Sequence, residues 1–229
     1  MKTLGLIGGM SWESSQEYYR ILNELIKEKL GEPHSCELIM YSVDFAEFES
    51  LQHEDRWNEM AERMVDIARR LESAGAELLL ICTNTMHRLA PDIESEITIP
   101  LLHIADATAE NIKKDNNSKV GLLGTKFTMS GDFYKKRLEE KHEIKVITPD
   151  SKQQDVVHGI IYNELISGII KNKSREKFIE IIGGLQERGA EGVILGCTEI
   201  PLLIKQEHSP LTIYDTTYIH ARSAVKEIL

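Results

Sequence analysis

Cys197 is the residue of this 229-residue chain best placed to do chemistry. It lies in Gly196-Cys197-Thr198-Glu199, where the apolar run Val193–Leu195 gives way to Ile200-Pro201, a pattern that predicts a strand ending near a helix N-terminus. A thiol so placed can be stabilised as thiolate and act as a base or nucleophile. The same position also suits a cysteine that only packs as a small apolar residue. An ungapped internal repeat bears on the choice. Ala74-Gly-Ala-Glu-Leu-Leu-Leu-Ile-Cys-Thr-Asn-Thr85 aligns with Arg188-Gly-Ala-Glu-Gly-Val-Ile-Leu-Gly-Cys-Thr-Glu199, which sets Thr83 against Cys197. Gly5-Leu-Ile-Gly8 likewise matches Gly121-Leu-Leu-Gly124.

Around these two positions, Asn84, Thr85 and Thr198 supply an amide, hydroxyls and backbone donors suited to a carboxylate. Glu199 follows the thiol by two residues and reads equally well as a proton partner or a helix cap. Thr125 and the loop Gly8-Gly9-Met10-Ser11 close the matched Gly-rich segments and suggest a small-anion cradle, although Ser and Thr there are also ordinary caps. The Gly8–Ser11 loop matches neither a dinucleotide nor a phosphate fingerprint. His87, His103 and His220 have no metal-ligand companions at suitable spacing and read as structural histidines. Cys82, one residue out of register with Cys197, is expected in the core, and Cys36 has no partner signal. No metal, pyridoxal or other cofactor motif stands out.

These residues need a frame to hold them. Apolar runs at Leu4–Ile7, Leu38–Val43, Leu78–Cys82, Val120–Leu123, Val146–Thr148 and Val193–Leu195 alternate with stretches of helical period, which predicts a parallel α/β fold. Ser14-x-x-Glu17 reads as a capping box opening a helix with Tyr18, Ile21, Leu22, Leu25 and Ile26 on one face. A second helix carries Met60, Met64, Ile67 and Leu71 and stops at Ala74-Gly75. The repeat predicts two pseudo-symmetric lobes, each a parallel sheet flanked by helices, with the site in the cleft between them at the strand C-terminal edges. The polar run Lys113–Lys119 is the expected boundary, giving an N-terminal lobe over 1–112, joined by 210–229, and a C-terminal lobe over 119–209.

Composition excludes several classes. With 27 Lys and Arg against 37 Asp and Glu, the net charge of −10 argues against nucleic-acid and anionic-membrane partners. Leu4–Ile7 is too short for a signal core or a membrane span, and three cysteines without a C-x-x-C pair fit a reducing compartment. A soluble, cytoplasmic protein is expected.

Taken in order, Gly5-Leu-Ile-Gly-Gly-Met-Ser11, Cys-Thr-Asn-Thr-Met-His87, Gly-Leu-Leu-Gly-Thr125, Gly-Cys-Thr-Glu-Ile200 and Asp215-Thr-Thr-Tyr-Ile-His220 resemble the aspartate/glutamate racemase superfamily, in particular its aspartate racemase branch. The resemblance spans nearly the whole chain. It implies two similar α/β lobes, an amino acid bound between them, a homodimer, and catalysis with neither pyridoxal phosphate nor metal. It also implies two groups on opposite faces of the substrate Cα, one removing and the other returning a proton. Cys197 matches the second position. The first, usually cysteine in Cys-Asn-Thr, is Thr83 here, and a hydroxyl is a poor base at neutral pH. The expected function is interconversion of L- and D-aspartate or glutamate, with Cys197 the base for one enantiomer and Thr83 returning the proton. Met10, Gln52, Asn84, Thr85, Thr125 and Thr198 are the expected substrate-binding residues, with Gln52 reading the side chain because the loop after the second strand offers no Arg before Arg56. Two alternatives remain open at this point: a single-Cys isomerase or decarboxylase of a small dicarboxylate in the same superfamily, and a non-catalytic amino-acid-binding module.

Overall fold

The structure is a computed structural model describing residues 1–229. It forms two compact units, Met1–His103 with His220–Leu229, and Ile104–Ile219.

The first unit is built from β1 (Leu4–Gly8), α1 (Trp12–Leu30), β2 (Leu38–Ser42), α2 (Phe45–His53), α3 (Trp57–Ser73), β3 (Leu78–Ile81), a 3-10 turn over Thr85–Leu89, and α4 (Ala90–Glu94). Its strands are parallel in the order β2-β1-β3, and a parallel bridge from Leu79 to Leu101 adds the trace of a fourth. The second unit contains α5 (Ile104–Lys114), β4 (Lys119–Gly124), α6 (Lys126–Ser130), α7 (Asp132–Lys136), β5 (Lys145–Ile147), α8 (Ser151–Asn163), α9 (Asn172–Glu187), β6 (Gly192–Gly196), α10 (Ile200–Leu203) and β7 (Thr212–Asp215). Its sheet is parallel in the order β5-β4-β6-β7. Helix α11 (Thr216–Ile228) begins in the second unit and ends in the first.

The strand orders show the duplication. β1, β2, β3 and the Leu101 bridge take the places of β4, β5, β6 and β7, and the register agrees: Ile7 pairs with Ile81 as Leu123 pairs with Leu195. Even the repeated Gly-Ala-Glu turn does the same work twice. Glu77 accepts from the Thr3 N–H at 2.8 Å, and Glu191 accepts from the Ser118 and Lys119 N–H groups at 2.6 and 2.9 Å, clamping the start of each central strand. Gly75 and Gly189, at φ 102° and 85°, supply the left-handed backbone this turn needs.

All six sequence-predicted strands form. The central ones are apolar on both faces because helices cover both, as for a parallel sheet. The α1 face Tyr18, Ile21, Leu22, Leu25 and Ile26 packs in one cluster with Leu4, Leu6, Leu78, Leu80 and Cys82, each such buried aliphatic contributing about 1.5–3 kcal/mol. Cys36 joins that core, and burial pushes its thiol up to about 11.

Three expectations are corrected. Helix α1 opens at Trp12 rather than at Ser14: Ser11 is its N-cap, accepting from the Ser14 N–H at 3.3 Å, while Ser14 Oγ donates to Cys82 O at 2.7 Å. The tertiary bond to the end of β3 takes the hydroxyl that a capping box would have used. The chain passes between units at His103–Ile104 instead of Lys113–Lys119, because the apolar face of α5 packs with β4 and α7 residues. For the same reason, 210–219 belongs to the second unit, where β7 pairs with β6. That seventh strand was not foreseen, since Thr212–Asp215 is short and only Ile213 and Tyr214 are apolar. No helix is long and apolar enough to cross a membrane.

Candidate functional site

At the C-terminal edge of the second sheet, Gly124 pairs with Gly196, so Thr125 and Cys197 follow neighbouring strand ends. The partly exposed Cys197 donates from Sγ to Glu199 Oε2 at 2.8 Å, and Thr198 Oγ1 donates to the same oxygen at 2.7 Å. Glu199 is only 6% exposed. It stands at the N-cap of α10, but its side chain makes no cap bond. The structure therefore takes the proton-partner geometry over the capping one.

Burial, with the charge and hydrogen bond of Glu199, pushes the Cys197 thiol well above its ordinary range. This corrects the expectation of a stabilised thiolate: α10 is a single turn, and burial together with the carboxylate beside the sulfur outweighs whatever its amides supply. Thr125 is engaged as the N-cap of α6, accepting from Thr128 N–H at 3.3 Å with the two hydroxyls 3.2 Å apart.

In the first unit, Ile7 pairs with Ile81 and Gly8 with Ser42, which gathers three loops at one sheet edge. Thr83 is partly exposed there, and Asn84 and Thr85 are buried beside it. Gln52 is buried in the last turn of α2. The Gly8–Ser11 loop is less of an anion cradle than its composition suggests. Gly9 N–H donates to Ser15 Oγ at 2.7 Å, Ser11 caps α1 and Met10 is buried. Arg56 is exposed and committed to Glu54 and Glu59 at 2.7 and 2.6 Å. Cys82 is buried in the core as expected, its thiol raised by desolvation.

Sequence reasoning treated the three histidines singly, whereas the fold brings them together. His87 and His103 have ring centroids 4.6 Å apart, and His87 and His220 5.6 Å. His87 Nδ1 donates to Thr83 O at 2.8 Å, and the i, i+4 spacing from Thr83 to His87 was the available signal. No group of three or more His, Cys, Asp or Glu side chains is arranged to hold a metal.

Two duplicated parallel α/β units, with Thr83 and Cys197 just past the ends of β3 and β6, define the class of protein. The Asp/Glu/hydantoin racemase family model matches residues 7–224, and the chain belongs to that family. The broad specificity amino-acid racemase RacX of Bacillus subtilis is 24% identical, over 99% of this chain and 98% of its own. Among solved structures, a Yersinia pestis protein provisionally described as an Asp/Glu racemase is 50% identical with a TM-score of 0.94, covering 100% of this chain and 99% of its own. An aspartate racemase homologue from Pyrococcus horikoshii OT3 is 40% identical with a TM-score of 0.88, at the same coverage. Membership of this family supports amino-acid racemase activity.

Proposed function

We propose that the chain interconverts the enantiomers of an acidic amino acid, aspartate or glutamate, without a cofactor, using Cys197 and Thr83 on opposite faces of Cα. The carrying observation is the Cys197 thiol bonded at 2.8 Å to the buried Glu199 carboxylate, with Thr83 at the equivalent place of the duplicated unit. Glu199 takes the Sγ proton as the thiolate removes the α-proton, so one negative charge is carried throughout and a buried dianion is avoided. The carbanion is held by hydrogen bonds to the α-carboxylate from Asn84 and Thr85, joined by Thr198 Oγ1 once protonation of Glu199 releases it from that carboxylate. Thr83 Oγ–H delivers a proton to the far face as a water gives its own proton to Oγ, and the hydroxide left behind is neutralised through solvent by the proton that Glu199 took from Sγ, which returns the carboxylate and thiol to their starting states. Gln52 reads the distal group, with Met10 and Thr125 on adjacent loops of their own sheets. The relatives named for aspartate and for aspartate and glutamate support the acidic substrate.

The test is NMR in D2O with L- and D-aspartate and L- and D-glutamate, without pyridoxal phosphate, following α-proton loss beside chiral analysis. Deuterium entry with inversion is expected. Silence with all four sinks the acidic-substrate reading. One observation favours a second reading: a hydroxyl where the family usually has a thiol suits single-thiol chemistry on a small dicarboxylate. Silence with all four amino acids beside turnover of a small dicarboxylate that is lost in Cys197→Ser would select it, whereas exchange with retention would say that Thr83 delivers no proton.

A further inference from the structure

We infer that His87 is a positioning residue for Thr83, acting through the backbone; this rests on the racemase reading above. A carbonyl oxygen only accepts, so the 2.8 Å contact between His87 Nδ1 and Thr83 O requires the proton on Nδ1. The backbone N–H of the same residue donates to Asn84 O at 3.2 Å. His87 thus holds the two carbonyls that flank the Asn84 Cα, the first of them in the Thr83–Asn84 peptide, from a side chain only 1% exposed.

The ring is itself fixed from two further directions. His103 packs against it from the segment after the Leu101 bridge, and His220 meets it edge-on from α11. His220 is oriented in turn, because Nε2–H must donate to Leu102 O at 2.8 Å, which leaves Nδ1 to accept from Tyr18 OH of α1 at 2.8 Å. A peptide held at its carbonyl fixes ψ of Thr83 and hence the direction of its Cα–Cβ bond. With the few χ1 rotamers open to a β-branched residue, that direction sets where Oγ1 points. The hydroxyl must face a Cα that it does not choose, and a shift of about 1 Å there costs on the order of 10²-fold in rate.

The test compares wild type with His87→Leu, which removes the donor, and His87→Asn, whose amide nitrogen takes the place of Nδ1. For the enantiomer that Cys197 deprotonates, α-deuterium entry and inversion are measured together in D2O. In His87→Leu, inversion is expected to fall about 10- to 100-fold while exchange by Cys197 persists, and His87→Asn is expected to restore inversion. The NMR signal linking the Asn84 amide to the Thr83 carbonyl should move in the Leu variant and return towards its wild-type position in the Asn variant. Inversion and exchange falling in parallel, or an Asn variant no better than Leu, overturns the inference. A wild-type protein that neither exchanges nor inverts removes the racemase reading and this role with it, whereas an active wild type with an unmoved ratio in the variants removes only the role of His87.

Discussion

Cys197 Sγ lies 2.8 Å from Glu199 Oε2, and that oxygen also accepts from Thr198 Oγ1 at 2.7 Å, so the sulfur, a hydroxyl and a carboxylate converge within three consecutive residues. With burial, the carboxylate makes the thiol a weaker acid, and in the proposed mechanism it is also the group that receives the thiol's proton.

Replacing that carboxylate separates the two effects. In Glu199→Gln the thiol is expected to ionise at lower pH, since the charge that raises it is gone. Turnover at neutral pH should nevertheless drop by about 10²-fold or more and recover as pH rises through the thiol's new pKa. Thiolate absorbance against pH, measured beside kcat, checks both; an unchanged neutral kcat would falsify the relay.

Thr83 should control inversion more than proton removal. Thr83→Ala is expected to lose inversion by about 10²- to 10⁴-fold while Cys197 still exchanges the α-proton of its own enantiomer. Thr83→Cys should raise kcat/KM equally in both directions and raise kcat most in the one where residue 83 is the base, because a thiol ionises far more readily than a hydroxyl. Free enantiomers are equal in energy, so kcat/KM must remain the same in both directions for every variant. Progress curves from pure L and pure D substrate test this.

His220 makes the first unit acid-sensitive. Burial holds its pKa down to about 4, against the opposing bond to Leu102 O. Below about 6.5 the unfolded chain binds a proton that the folded one refuses, so stability falls as pH drops from about 6.5 to about 4, by about 3 kcal/mol in total. Denaturant titrations at several pH values should show this loss, and His220→Gln should flatten it while lowering stability at neutral pH by about 1–3 kcal/mol. An unaltered acid slope in the variant would mean that another group titrates.

Gly9 should tolerate no side chain. Its φ is +94°, and a Cβ would lie 2.3 Å from Val43 O and 2.5 Å from Val43 N. Since backbone, not a flexible side-chain tip, is in the way, Gly9→Ala is expected to cost about 2–4 kcal/mol or displace the loop. Thermal unfolding and the amide shifts of Val43 and Gly9 would report it; a wild-type melting curve would show that the loop yields.

The chain's pattern determined six of its seven strands, the duplication and the equivalence of Thr83 with Cys197, because a strand buried on both faces must be a continuous apolar run and duplicated strands keep their register. The faces of α1 and α3 were legible for the same reason, since helical period is local. Tertiary structure decided what depends on groups distant in sequence. Ser14 donates to Cys82 O, leaving the cap to Ser11, and α5 packs on the second unit's sheet, moving the boundary from Lys113–Lys119 to His103–Ile104. Glu199 turns to the thiol instead of capping α10, and His87, His103 and His220 become one cluster although 133 positions separate the first from the last. A sequence states which groups each segment can offer; only packing selects which donor reaches which acceptor, because a side chain's hydrogen-bonding choice depends on whatever the rest of the fold has buried beside it.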